Sequence, residues 1–249
     1  MLTTTIDEVI EQLSVIVDRS RLESSRLGYF ASLYRKVTMS VKSGISAGRF
    51  EDGHRMEQLD VRFANRYLEA FHLHAAGKAT TESWQLAFDA AHGWRPIILQ
   101  HLLLGMNAHI NLDLGIAAAE TCPGADLPAL KHDFDEINRI LADLVQPVQD
   151  EIGEVSPWIG FLGKIESRTD DVIVNFSMDR ARSAAWRFAV RLNGLDDSAR
   201  PAAIQKRDHE VATLGRMVQK PGRYLLPAGL LMIRLRESND VSRVIDTLC

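Results

Sequence analysis

Two cysteines, Cys122 and Cys249, are all that the 249 residues hold, and they form no CxxC pair. Neither a disulfide framework nor a cysteine-based zinc site is therefore expected. Charge of one sign is also missing. Lys and Arg number 29 against 33 Asp and Glu, for a formal net charge of −4, which argues against a nucleic-acid binder. No unbroken apolar run reaches the roughly 18 residues that a membrane-spanning helix needs. The opening MLTTTIDEVIEQL lacks the basic start and apolar core of a signal peptide. GxSxG, a phosphate-binding loop, a dinucleotide fingerprint and HExxH are absent, so the common hydrolase, NTPase and dehydrogenase readings lose their best support. Strand signals are scarce too. VIVNF at 172–176 is the best of them, and it flows into an alanine-rich helical pattern, so it is read as helix. What remains is an ordinary globular composition, 46% hydrophobic, expected to fold as a soluble cytoplasmic protein.

Apolar residues recur at three- and four-residue spacing between glycine and proline punctuation. Ile6, Val9, Ile10, Leu13, Ile16 and Val17 mark a first helix, and a second is expected from about 22 to 41. SGISAGRFEDGH, residues 43–54, reads as a glycine-rich loop, with Asp52 capping a helix over 55–76 that Gly77 ends. Further helices are expected after Thr80 and Thr81, over 96–121, from about 126 through 148, over 169–192 and over 201–218. No repeat or compositional break divides the chain. The expectation is one all-α domain spanning 1–249, a compact bundle built round a buried central helix.

That central helix, PIILQHLLLGMNAHINLDLGIAAAET, is apolar on every side, which marks it as buried. Yet it carries His101, Asn107, His109, Asn111 and Asp113. A buried polar group without a partner costs about 1–3 kcal/mol, so these five need an explanation. At about 100° per residue, His109 and Asp113 stack on one face a turn apart, while Asn107 and Asn111 form a second strip. His101 lies near the first face, two turns earlier. Gly105 between them leaves room for a neighbouring helix or a ligand close to the backbone. HxxxD suits a base with its orienting acid, or two ligands of a divalent metal, with His101 as a third; it equally suits an interior hydrogen-bond network. On the 55–76 helix, Asp60 falls beside the apolar stripe of Met56, Leu59, Phe63 and Tyr67. It is the second-helix candidate for the site, with a salt bridge to Arg55, Arg62 or another arginine as the plainer reading. Asp179 and Arg182 suit an exposed i,i+3 ion pair, with Arg182 and Arg168 as alternative counter-charges to the central carboxylates.

RMEQLDVRFANRYLEA at 55–70, WQLAF at 84–88, QHLLLGMNAHINLDLG at 100–115, DFDEIN at 133–138 and RTDD…NFSMDRARSAAW at 168–186 together resemble an uncharacterised bacterial family of all-helical proteins, a domain of unknown function. The resemblance covers about 45 to 190. It implies a helical fold and carries over no substrate. AHINLD is also similar to the AHxxxD element of all-helical zinc-dependent phospholipases and nucleases, but the further His and Asp clusters of their trinuclear centre are missing.

The leading expectation is an enzyme with a polar cavity walled by the 96–121 and 55–76 helices, carrying out small-molecule hydrolysis or a related acid/base reaction. Its site would hold His109, Asp113, Asp60, Asn107 and Asn111, with a divalent metal on His101, His109 and Asp113 as a variant. The rival is a non-catalytic helical binding or interaction protein whose polar strips lock helix packing.

Overall fold

The computed structural model describes residues 2–159, 177–220 and 225–249. About 80% of it is helical, and the described residues contain ten packed helices and no strand. They are α1 (Ile6–Leu22), α2 (Leu27–Ser46), α3 (Gly53–Ala75), α4 (Glu82–His92), α5 (Ile98–Thr121), α6 (Lys131–Val155), α7 (Met178–Asn193), α8 (Arg200–Gln219), α9 (Leu225–Arg234) and α10 (Val241–Leu248). A 3₁₀ stretch, Gly124–Leu130, enters α6, so that helix begins a turn later than the sequence suggests. The expected VIVNF helix lies outside the described residues, as do Arg168, Asp170, Asp171 and Asn175.

Local chemistry sets most boundaries. Thr5 accepts from Glu8 N–H at 3.2 Å, Asp52 from Arg55 N–H at 2.9 Å, and Asp240 from Arg243 N–H at 3.0 Å. Each satisfies one of the donors that a helix start leaves open. Gly77 ends α3 with φ +67°, a conformation that favours glycine. The glycine-rich segment corrects one expectation. Helix α2 continues through Gly44 to Ser46, because that glycine packs directly on its neighbours: a Cβ there would stand 2.9 Å from Ile140 Cδ1. The true loop is short and is tied to α6, where Asp133 accepts from the N–H groups of Glu51 (2.7 Å) and Asp52 (3.1 Å) and from Arg55 (2.7 Å).

Helix α5 is the hub. Its first half contacts α2, α4 and α8, and its second half contacts α3 and α7, while α1 pairs with α2 on the outside. By length and composition α5 could cross a membrane, but 94% of its apolar window is buried inside the protein's own bundle. Small residues allow the close approaches. At Gly105 a Cβ would lie 2.5 Å from the Phe30 ring, and at Gly115 it would lie 2.7 Å from the Ala185 carbonyl oxygen. Gly105 thus admits a side chain of α2, one of the two alternatives its position raised.

Candidate functional site

Helix α5 is irregular where its polar residues lie. From His109 to Asp113 the backbone takes a π turn, and the Leu114 N–H bonds to the His109 carbonyl, five residues back. A π turn holds more residues than an α turn, so side chains four apart come nearer to overlying one another; such single turns gather at functional sites.

The overlay brings His109 Nδ1 to 3.3 Å from Asp113 Oδ2. Two more donors complete the carboxylate. Arg66 Nε of α3 donates to Oδ1 at 2.8 Å, and Trp84 Nε1 of α4 donates to Oδ2 at 2.8 Å. Burial pushes the Asp113 carboxyl up, yet Arg66, His109 and Trp84 outweigh it and hold the group below the usual carboxylate range. A carboxylate only accepts, so His109 Nδ1 carries the proton and Nε2 keeps a lone pair in the neutral ring. The ring is neutral because burial lowers its pKa more than the Asp113 bond raises it. His109 sits in an aromatic box. Phe63 stacks on it with centroids 3.5 Å apart, Tyr34 meets it edge-on at 4.5 Å, and Phe30, Tyr67 and Trp84 close the remaining sides. Inside that box His109 Nε2 is buried with no hydrogen-bond partner.

Two other buried polar atoms nearby share that state, Tyr34 Oη on α2 and Asp60 Oδ2 on α3. Burial, and then the charge of Glu57, pushes the Asp60 carboxyl up to about 7. Burial raises the Tyr34 phenol well above its ordinary value, with Asp60 and Asp113 adding to the effect. Among the described residues no cation lies within 4 Å of Asp60, so the salt bridge to Arg55 or Arg62 is not formed; Arg55 turns to Asp133 instead.

The second strip faces away. Asn107 Nδ2 donates to the Val211 carbonyl of α8 at 2.9 Å, Asn111 Nδ2 donates to Asn107 Oδ1 at 3.1 Å, and Arg207 Nε holds the Asn111 carbonyl at 2.9 Å. His101 is not brought to His109. Its ring packs edge-on against Tyr29 at 5.7 Å, and its Nε2 is likewise buried without a partner.

His101, His109 and Asp113 do not fit a metal triad. Both Asp113 oxygens are engaged by protein donors, and the three residues do not bring their ligand atoms together. Among the described residues only Glu51, His132 and Asp133 place three such atoms within 4.8 Å of one another. There Asp133 is already bound by Arg55 and two backbone N–H groups.

Sequence reasoning named His109, Asp113 and Asp60 and missed Arg66, Trp84, Tyr34 and Phe63. A signal existed for the first: a charged Asp113 inside an apolar helix demands a cation, and Arg66 lies on the helix of Asp60. Arg182 does not supply that charge, nor does it pair with Asp179 within 4 Å. It is buried, with its guanidinium donating to Asn138 Oδ1 and the Phe134 carbonyl, because the cationic plane also lies over the Phe134 ring at 4.5 Å.

No curated protein and no solved structure matches the chain. One family model does, from residue 6 to residue 221, a wider span than the motif-bearing core. The chain belongs to DUF5995, a family of unknown function.

Proposed function

We propose that the protein is an acid/base enzyme acting on a small molecule, with His109 Nε2 as the base and hydrolysis as the reaction class. The observation that carries this is the lone pair at Nε2. Asp113 fixes the tautomer through Nδ1 and is itself held by Arg66 and Trp84, while the working nitrogen is buried in the aromatic box with no protein partner. Such a base–orienter pair takes a proton from a hydroxyl or a water and returns it to a leaving group. Asp60 and Tyr34 supply the complementary acid, since burial keeps both protons on to higher pH than usual. Asn107 and Asn111 hold α8 in place.

The second reading, a non-catalytic binding protein with a structural network, is favoured by one fact. The Asn107–Asn111 strip and both oxygens of Asp113 end on protein groups.

A panel of chromogenic carboxylic esters, phosphate esters and amides separates the two. On the enzyme reading, wild-type protein turns over at least one class. His109→Gln then loses about 10²–10⁴-fold while keeping its melting temperature within a few degrees. The rate falls on the acid side, where His109 protonates, and again above about pH 7, where Asp60 gives up its proton. Turnover that survives His109→Gln sinks the assignment of the base. No turnover, together with a large loss of stability in His109→Gln, supports the structural reading.

A further inference from the structure

A second site lies at the other end of α5. A narrow cleft between α2, the start of α5 and the stretch after α9, too tight in this conformation to admit a water molecule, is lined by Arg26, Tyr29, His101, Arg234 and Glu237. It holds two guanidinium groups. Arg234 is only 3% exposed, and it is anchored by Nε donating to the Trp94 carbonyl at 2.7 Å with its plane over the Trp94 ring. Among the described residues neither Arg234 nor Arg26 has a carboxylate within 4 Å. Glu237 is the one acid lining the cleft, and its oxygens are taken up by the Ile98 N–H at 3.1 Å and the Ser156 hydroxyl at 2.7 Å. Glu237 and Arg234 act on each other beyond contact distance, so one acid faces two guanidinium groups and the cleft keeps a net positive charge, which points to an anion.

His101 adds a second requirement. Its ring donates to the Pro96 carbonyl from one nitrogen, and Nε2, the other, is buried with no partner. The ring is 94% buried and neutral, since burial, then Arg26 and Arg234, lowers its pKa to about 3. Nε2 is therefore an acceptor waiting for a donor. An anion with no proton to give leaves it unsatisfied.

We propose that this cleft binds a small oxyanion that also carries a hydroxyl, of the hydroxycarboxylate or hydrogen-phosphate class. Arg26 and Arg234 hold the charged oxygens, and His101 Nε2 accepts from the hydroxyl. Arg26 is the wall that yields on entry: it is half-buried and held by a long bond, 3.3 Å to the Ala91 carbonyl, and by the Tyr29 hydroxyl. A separate small pocket that shares Arg26 and His101 with this cleft is lined by Phe30, Tyr67 and Trp84, three walls of the box around His109. The cleft stands independently of the reading of His109 as a base.

Calorimetric titration of the full chain at about pH 7.5 with phosphate, sulfate, glycolate and acetate tests the pairing rule. Phosphate and glycolate each offer a hydroxyl; sulfate and acetate match them in charge and shape without one. The expectation is that phosphate binds about tenfold or more tightly than sulfate, or glycolate than acetate, the scale of leaving one buried acceptor unpaired. Which pair responds separates a phosphate source from a carboxylate one. Arg234→Met and the more exposed Arg26→Gln each lower that affinity at least tenfold; the second serves if the first fails to fold. Equal binding of the hydroxyl-bearing and hydroxyl-free anions overturns the role of His101. Binding by none of the four, or affinity unchanged in Arg26→Gln, overturns the site.

Discussion

Replacing Arg66 by Met is the sharpest test of how the His109–Asp113 pair is held. The substitution keeps much of the stem volume and deletes the charge that balances a carboxylate only 1% exposed. Removing one partner of a buried pair costs about 3–5 kcal/mol. With Arg66 itself 25% exposed, solvent screens part of the pair, and about 2–4 kcal/mol is the working figure. For a chain of this size that is a drop of roughly 4–16 °C in melting temperature. The pH dependence gives the stronger discrimination. In the native protein the Asp113 pKa is depressed, so its contribution is present above the ordinary aspartate value and fades as pH falls through the folded value. Without Arg66, burial dominates and the folded pKa rises above the ordinary value. The penalty in the variant then grows with pH, and the gap between the two proteins narrows from pH 7 to about pH 4.5. Urea denaturation at both pH values measures it. Arg66→Met/Asp113→Asn leaves no buried charge and recovers at least half the loss, since the amide oxygen still accepts from Trp84. A cost under about 1 kcal/mol at pH 7, or one that does not change with pH, would refute the buried-charge account.

Asp60 behaves in the opposite sense. Its folded pKa, about 7, lies above the unfolded value, so its stabilising contribution is full at low pH and is lost as pH rises through about 7. Asp60→Asn should therefore gain stability relative to wild type between pH 5 and pH 8 in thermal melts; a constant difference would show that Asp60 has a cation or donor the structure does not give it. Gly105→Ala drives a Cβ to within 2.5 Å of the Phe30 ring. Overpacking of this kind costs about 1–3 kcal/mol by chemical denaturation, and a neutral result would mean that α2 and α5 sit farther apart.

Much of the fold was legible in the sequence because helices are local. The Asp52 cap, the Gly77 terminator and the apolar periodicity of α1 and α3 each act within a few residues of themselves. Where the reading failed, a distant contact decided. Gly44 stays helical because Ile140 and Phe50 cover it, and Arg182 turns inward because the Phe134 carbonyl and Asn138 are waiting there.

The same division holds for the site. Spacing along one helix by itself determined that His109 and Asp113 share a face, that Asn107 and Asn111 form another strip, and that five polar groups on an apolar helix must meet partners. Which partners they meet was decided only by tertiary packing. Arg66 arrives from α3, Trp84 from α4 and Val211 from α8, and the cleft at His101 needs Arg234 from the far end of the chain. Periodicity fixes direction around one axis, whereas a counter-charge, or its absence, is settled by which other helices lie within a few ångströms. The two orphaned histidine nitrogens, His109 Nε2 and His101 Nε2, could therefore be recognised only once every neighbouring helix was in place.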